Sequence, residues 1–157
     1  MKIRLEPVTV ASRAAVERLE TAPGQEGFVE SVAECLAEAD RRRCWRPVGV
    51  YDGDALIGFA MYGFFWEYLP FGRLWLDRLL IDRRFQGRGY GRAALAALLE
   101  RLEREYHKKR IYLSVVEANR PAAALYESFG FRFTGERDTH GERAPALASQ
   151  SAGITGV

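Results

Sequence analysis

The stretch at positions 74–92, LWLDRLLIDRRFQGRGYGR, constrains this chain more than any other. An apolar run closes on Ile81 and Asp82. A glycine-rich turn follows (Gln86, Gly87, Arg88, Gly89, Tyr90, Gly91), and then an Ala/Leu run begins at helical spacing. Strand, glycine loop and helix N-terminus, in that order, make a cradle for phosphate. Glycine lets a ligand approach the backbone, and the first helical N–H groups point at it with the helix dipole behind them. Arg88 and Arg92 flank the turn and add charge-assisted contacts to phosphate oxygens. The loop therefore reads as the seat of the pyrophosphate of a nucleotide-bearing cofactor. A turn without a ligand is the lesser reading, because alternating glycines weaken a helix start for no structural gain.

Other phosphate loops fit less well. The chain contains no Gly-Lys-Ser/Thr, so a Walker loop is excluded. Gly89, Gly91 and Ala94 match the dinucleotide pattern GxGxxG/A, but that match alone is weak. In a dinucleotide-binding unit the loop opens the domain, whereas much of this chain precedes it. Part of that leading segment reads as an antiparallel hairpin, with Asp52-Gly53-Asp54 turning between apolar runs.

A chain of 157 residues suits one domain, expected over 1–148, with a disordered tail at 149–157. A net charge of +2 gives no reason to expect nucleic acid or an anionic membrane surface. Cys35 and Cys44, with two distant histidines, make neither a disulfide framework nor a zinc site, so no metal is expected. No run is long enough to span a bilayer and the N-terminus lacks the apolar core of a signal peptide, which makes the cytoplasm the expected location.

Taken in order, residues 2–5 read as a first strand, and Ser12 is the expected cap of a helix carrying Val16 and Leu19. A second helix is expected over 26–39. Val32, Cys35 and Leu36 form its buried face, and Glu26, Glu30, Glu34 and Glu38 form one acidic stripe. That stripe has two readings, a solvated face or a wall that attracts a polycation. Strands are expected over 46–51, 55–65, 74–81 and 111–116, with a helix between the last two and hence a right-handed parallel crossover. A last helix is expected over 122–129, with Pro121 at its start and Gly130 ending it, before a short strand at 131–133. The segment at 143–148 is a poor strand because Pro145 removes a ladder donor.

The pattern Gln86-x-x-Gly89-x-Gly91 after a strand resembles motif A of the GNAT N-acetyltransferases, whose loop binds the pyrophosphate of acetyl-CoA. A second resemblance lies in EANRPAAALYESFGF. In that family an Asn opens a helix beside the cofactor, and a Tyr one turn before Gly-Phe lies near the cofactor sulfur. Asn119 and Tyr126 match these positions. The wording of both motifs is most similar to bacterial diamine and polyamine N-acetyltransferases.

The resemblance implies an α/β fold: a mixed, mostly antiparallel sheet with one parallel pair (74–81 beside 111–116) and helices on both faces. It implies acetyl-CoA as cosubstrate, a small amine as acceptor and the possibility of a homodimer. Leu79, Leu80 and Ile81 would pair with the pantetheine arm as an added half-strand. Gln86, Gly87, Arg88, Gly89, Tyr90, Gly91 and Arg92 would hold the pyrophosphate, with Asn119 and Tyr126 also at the cofactor. A neutral amine would attack the thioester directly, and the Tyr126 phenol would return a proton to the leaving thiolate as general acid. Asp77 and Glu117 are candidate bases, although an ion pair with Arg78 or Arg73 explains a carboxylate inside a strand equally well. Glu30 and Glu34 would border a polyamine pocket. Two other readings stay open: an acetyltransferase for another amine (an aminoglycoside, an amino acid or a protein N-terminus), and a non-catalytic acetyl-CoA-binding regulatory module.

Overall fold

The structure is a computed structural model, which describes residues 1–20, 31–68, 70–107, 110–113, 120–133 and 147–148. The expected sheet is present. Its strands are β1 (Ile3–Pro7), β2 (Trp45–Asp52), β3 (Ala55–Phe65), β4 (Arg73–Ile81), β5 (Tyr112–Leu113), β6 (Arg132–Phe133) and β7 (Leu147–Ala148). They lie in the order β1-β2-β3-β4-β5-β7-β6. The β4–β5 pair is parallel and every other pair is antiparallel. Four α-helices, α1 (Val10–Glu17), α2 (Val32–Arg41), α3 (Tyr90–Tyr106) and α4 (Arg120–Ser128), and a 3-10 turn at Arg83–Phe85 complete the described elements. No described helix is long and apolar enough to cross a membrane.

Alternation along β3 supplies both cores, because successive side chains of a strand point to opposite faces. Ala60 and Tyr62 join Leu95, Leu98 and Leu102 of α3 and Tyr126 of α4 in one cluster. Phe59 and Met61 join Val16 of α1 and Cys35 and Leu36 of α2 in the other. The sheet is thus covered on both faces, and Cys35 is the small core residue its apolar neighbours imply.

β4 carries a register break with consequences for the site. Tyr62 pairs with Leu76 but Met61 pairs with Arg78, so Asp77 is an extra residue in the ladder. One inserted residue exchanges the faces of everything beyond it. Leu74 and Leu76 accordingly pack toward α3, whereas Leu80, of the same parity, packs toward α1 and α2.

Three local expectations need correction. Thr9, not Ser12, caps α1. Its Oγ1 accepts from Ser12 N at 3.4 Å while Thr9 N donates to Ser12 Oγ at 2.9 Å, so Ser12 is the reciprocating partner of a capping box. The helix expected over 26–39 does not run through 31: Ser31 is extended and caps α2, its Oγ accepting from Glu34 N at 3.1 Å, and α2 continues to Arg41. The C-terminal segment does form a strand. Leu147 and Ala148 form β7, which pairs with both β5 and β6, while 143–146, with Pro145, lie outside the described residues.

Candidate active site

The glycine loop lies between β4 and α3, as its sequence implies. Gly87 and Gly89 have φ of +77° and +83°, a left-handed backbone that glycine alone adopts without strain. A Cβ at Gly87 would have nothing within 4 Å, and one at Gly89 would only reach Met1 Cε at 4.0 Å. The cradle is therefore open toward solvent. Gly89 is the N-cap of α3 and no side chain caps it, so the helix presents its first N–H groups outward. Among the described residues Arg88 and Arg92 pair with no carboxylate. The Arg88 guanidinium lies over the Phe85 ring at 5.7 Å. Arg92 lies over Phe129 at 5.2 Å and donates to Ser128 Oγ at 2.9 Å. A backbone of this shape, with two unneutralised arginines, fits a pyrophosphate.

Asp82, which the sequence did not mark, fixes where the loop begins. Its side chain is only 2% exposed and accepts from Glu20 N at 3.1 Å, Arg84 N at 3.0 Å and Arg84 Nε at 2.8 Å. Burial pushes this carboxyl up, but the hydrogen bonds from Arg84 and Glu20 outweigh burial and hold it below its ordinary value. Its own N–H donates to the carbonyl of Ile57 at 2.8 Å, and Arg83 N donates to Glu20 O at 2.8 Å. Gln86 Nε2 then reaches back to Ile81 O at 2.9 Å. The loop is thereby tied to β3 and to the residues after α1. An Asp accepting from the amide two residues on is an Asx turn, a local signal that was present in the sequence.

Tyr90 points away from the cradle. Its hydroxyl donates to Asp52 Oδ2 at 2.5 Å and its ring meets Phe85 edge-on at 6.0 Å, so only its backbone belongs to the helix terminus. Gly91 faces α4, where a Cβ would lie 3.7 Å from Leu125 Cδ2. This contact and the Arg92–Ser128 bond press the start of α3 against α4. The same helix carries Tyr126, so the loop and the tyrosine are brought together.

Tyr126 is buried at 9% exposure, with Phe131 edge-on at 6.1 Å. Burial pushes its hydroxyl up to about 12, against the opposing pull of the Arg78 guanidinium. It is therefore a protonated phenol throughout the physiological range. Arg78, 6% exposed, is a second buried polar residue that the sequence reading had offered only as an ion-pair partner. Half-buried Asp77 occupies the bulge in the same strand. Glu34 is exposed and accepts from its own cap, Ser31 Oγ, at 3.1 Å. Leu79 and Ile81 are half-buried against the α3-side core, and Leu80 is buried on the other face. Glu30, Glu117 and Asn119 lie outside the described residues, as do Glu26 and the tail. No group of three or more His, Cys, Asp or Glu side chains able to hold a metal occurs among the described residues.

Comparison with known proteins agrees with this arrangement. Residues 13–131 match the model of the acetyltransferase (GNAT) family. The chain is 45% identical over 146 residues to a spermine/spermidine N(1)-acetyltransferase of Bacillus subtilis (strain 168), covering 91% of this chain and 96% of that protein. It is 44% identical, over the same shares, to a probable spermine N(1)-acetyltransferase of Bacillus subtilis subsp. natto. A spermidine N-acetyltransferase from Vibrio cholerae, solved with CoA and spermine, superposes with a TM-score of 0.68 at 19% identity, over 94% of this chain and 93% of that one. An aminoglycoside acetyltransferase, AAC(6')-Ib, solved with coenzyme A, superposes with a TM-score of 0.81 at 19% identity, over 99% and 98%. At that identity the solved structures establish the fold alone. The family match takes in strands β2 to β5, the glycine loop and Tyr126 together, and the chain belongs to the acetyltransferase (GNAT) family.

Proposed function

We propose that this protein transfers the acetyl group of acetyl-CoA to a primary amine of a diamine or polyamine, by direct attack within a ternary complex. The observation that carries the substrate class is the 45% identity, over nearly the whole chain, to a spermine/spermidine N(1)-acetyltransferase. The open glycine cradle beside a buried phenol supports the chemistry.

Acetyl-CoA supplies an activated thioester. The backbone around Gly87, Gly89 and the first turn of α3 binds its pyrophosphate, with Arg88 and Arg92 adding positive charge. Asn119 is a further cofactor-binding residue by its match to the family motif, and the edge at Leu79 and Ile81 takes the pantetheine arm. The amine nitrogen forms a bond to the thioester carbonyl carbon and the C–S bond breaks. Tyr126 gives its proton to the departing sulfur and is reprotonated by the proton that the nitrogen loses as it becomes the amide. The acceptor arrives protonated, and Asp77 at the bulge accepts the proton it must lose, with Glu117 the alternative base. Glu30 and Glu34 add negative charge on the approach. An Asp77→Asn enzyme with an unchanged pH–rate profile would remove Asp77 from this scheme.

The substrate class is tested by following free thiol with acetyl-CoA and spermidine, spermine, putrescine, lysine or an aminoglycoside in turn. The expected result is thiol release that depends on the polyamines and is weak with the others. Acetylation confined to lysine or to the aminoglycoside would overturn the polyamine reading.

A further inference from the structure

On the face of the sheet away from α3 lies a group of rings that the chemistry above does not use. Arg73 and Trp75 alternate with Leu74 and Leu76, which pack toward α3, so the first two face the other side. Tyr112 pairs with Trp75 across the parallel β4–β5 ladder and shares that side. The Trp75 and Tyr112 ring centroids are 5.6 Å apart, and Tyr68 stands 6.1 Å from Trp75. The Arg73 guanidinium lies over two of these rings at once, 5.0 Å from Tyr68 and 4.4 Å from Tyr112. All four residues are half-buried, so the group is lined but open to solvent.

Ring faces that hold a guanidinium will also hold an alkylammonium, since both are drawn by the same negative face and both bring methylenes to pack on it. The position along the strand matters as much. Asp77, the proposed base, lies two residues beyond Trp75, at most about 6.6 Å along the strand, which the bulge at Asp77 shortens. That is close to the span of a four-carbon spacer between two amines. If the reacting nitrogen sits near Asp77, the next nitrogen of a diamine or polyamine reaches the rings.

We propose that Tyr68, Trp75 and Tyr112 form a subsite for a second, non-reacting ammonium of the acceptor, and that the Arg73 guanidinium fills it until the acceptor displaces it. The subsite rests on the polyamine reading and would explain how an acceptor with more than one cationic centre is preferred over an amine with only one.

The test compares kcat/KM for spermidine with that for n-butylamine in the wild type, Tyr112→Leu, Trp75→Leu and Arg73→Gln. The wild type should prefer spermidine. Either aromatic substitution should lower the spermidine-to-butylamine ratio roughly tenfold, mainly through the KM of spermidine. Arg73→Gln should lower the KM of spermidine severalfold, because the competing cation is gone. A retained thermal shift with acetyl-CoA identifies folded variants, and Arg73→Gln, at the strand end, tests the proposal if an aromatic variant does not fold. An unchanged ratio, or a higher spermidine KM in Arg73→Gln, would overturn the subsite while leaving polyamine acetylation intact. A wild type that ignores every amine with a second ammonium would overturn the polyamine reading itself, and the subsite with it.

Discussion

Asp82 illustrates how a single residue sets the geometry of a loop that it does not belong to. Its carboxylate is nearly sealed from water and meets three donors, so replacing it with Asn puts an N–H₂ group where one of those donors points. Asp82→Asn should cost about 2 kcal/mol, the scale of a hydrogen bond to a charged group, as measured by urea unfolding at neutral pH. The sign of its pH dependence follows from the lowered value in the fold. The carboxylate contributes stability above the ordinary Asp range and loses it as pH falls through its lowered folded value. The acid limb of the wild-type stability curve should therefore be shallower in the variant, and parallel limbs would contradict the account. Asp77 was conspicuous in the sequence as a carboxylate inside a strand. Its cause, a bulge, was not legible there, because the register of β4 depends on β3 and not on neighbours in sequence.

At the scale of the element, the glycine loop was the most legible part of the chain. Its strand, turn and helix are signalled by adjacent residues, and backbone conformation at Gly87 and Gly89 follows from local sterics. Gly89→Ala separates conformation from ligand contact, since its Cβ would enter open space. It should cost about 1 kcal/mol of stability for a left-handed φ. Its dissociation constant for acetyl-CoA, read by calorimetry, should rise by more than that cost explains. Unchanged affinity would mean that the loop does not touch the cofactor. Helix starts were less legible. Thr9 and Ser12 are both good caps, and the choice between them is made by β1, which extends to Pro7 and leaves Thr9 as the first residue free to turn. Strand β7 was hardest to read, since two paired residues bring too little alternation to register and owe their place to β5 and β6.

For the molecule as a whole, the fold class was legible because two motifs in the right order fix one architecture. The aromatic group on the far face was not, since Tyr68, Trp75 and Tyr112 come from three separate stretches that only the parallel pair brings together. The two buried tyrosines give the whole protein a distinctive alkaline limit. Burial pushes both Tyr62 and Tyr126 up to about 12, the former despite the nearby Arg101. The unfolded chain gives up these protons near the ordinary tyrosine value of about 10, so stability should fall from about pH 10 upward until the folded state also ionises. Replacing both residues with Phe should flatten that limb in chemical unfolding. An equally steep limb in the double variant would place its cause elsewhere.

Everything proposed for the site converges on one phenol beside one cradle, and a single comparison tests it. Wild type and Tyr126→Phe are assayed side by side for thiol release from acetyl-CoA with spermidine, with the acetyl-CoA thermal shift recorded on the same samples. The account predicts equal thermal shifts and a kcat lower in the variant by roughly 10²–10⁴-fold, the range for a general acid. Equal turnover would contradict it, leaving Tyr126 as a packing residue of α4.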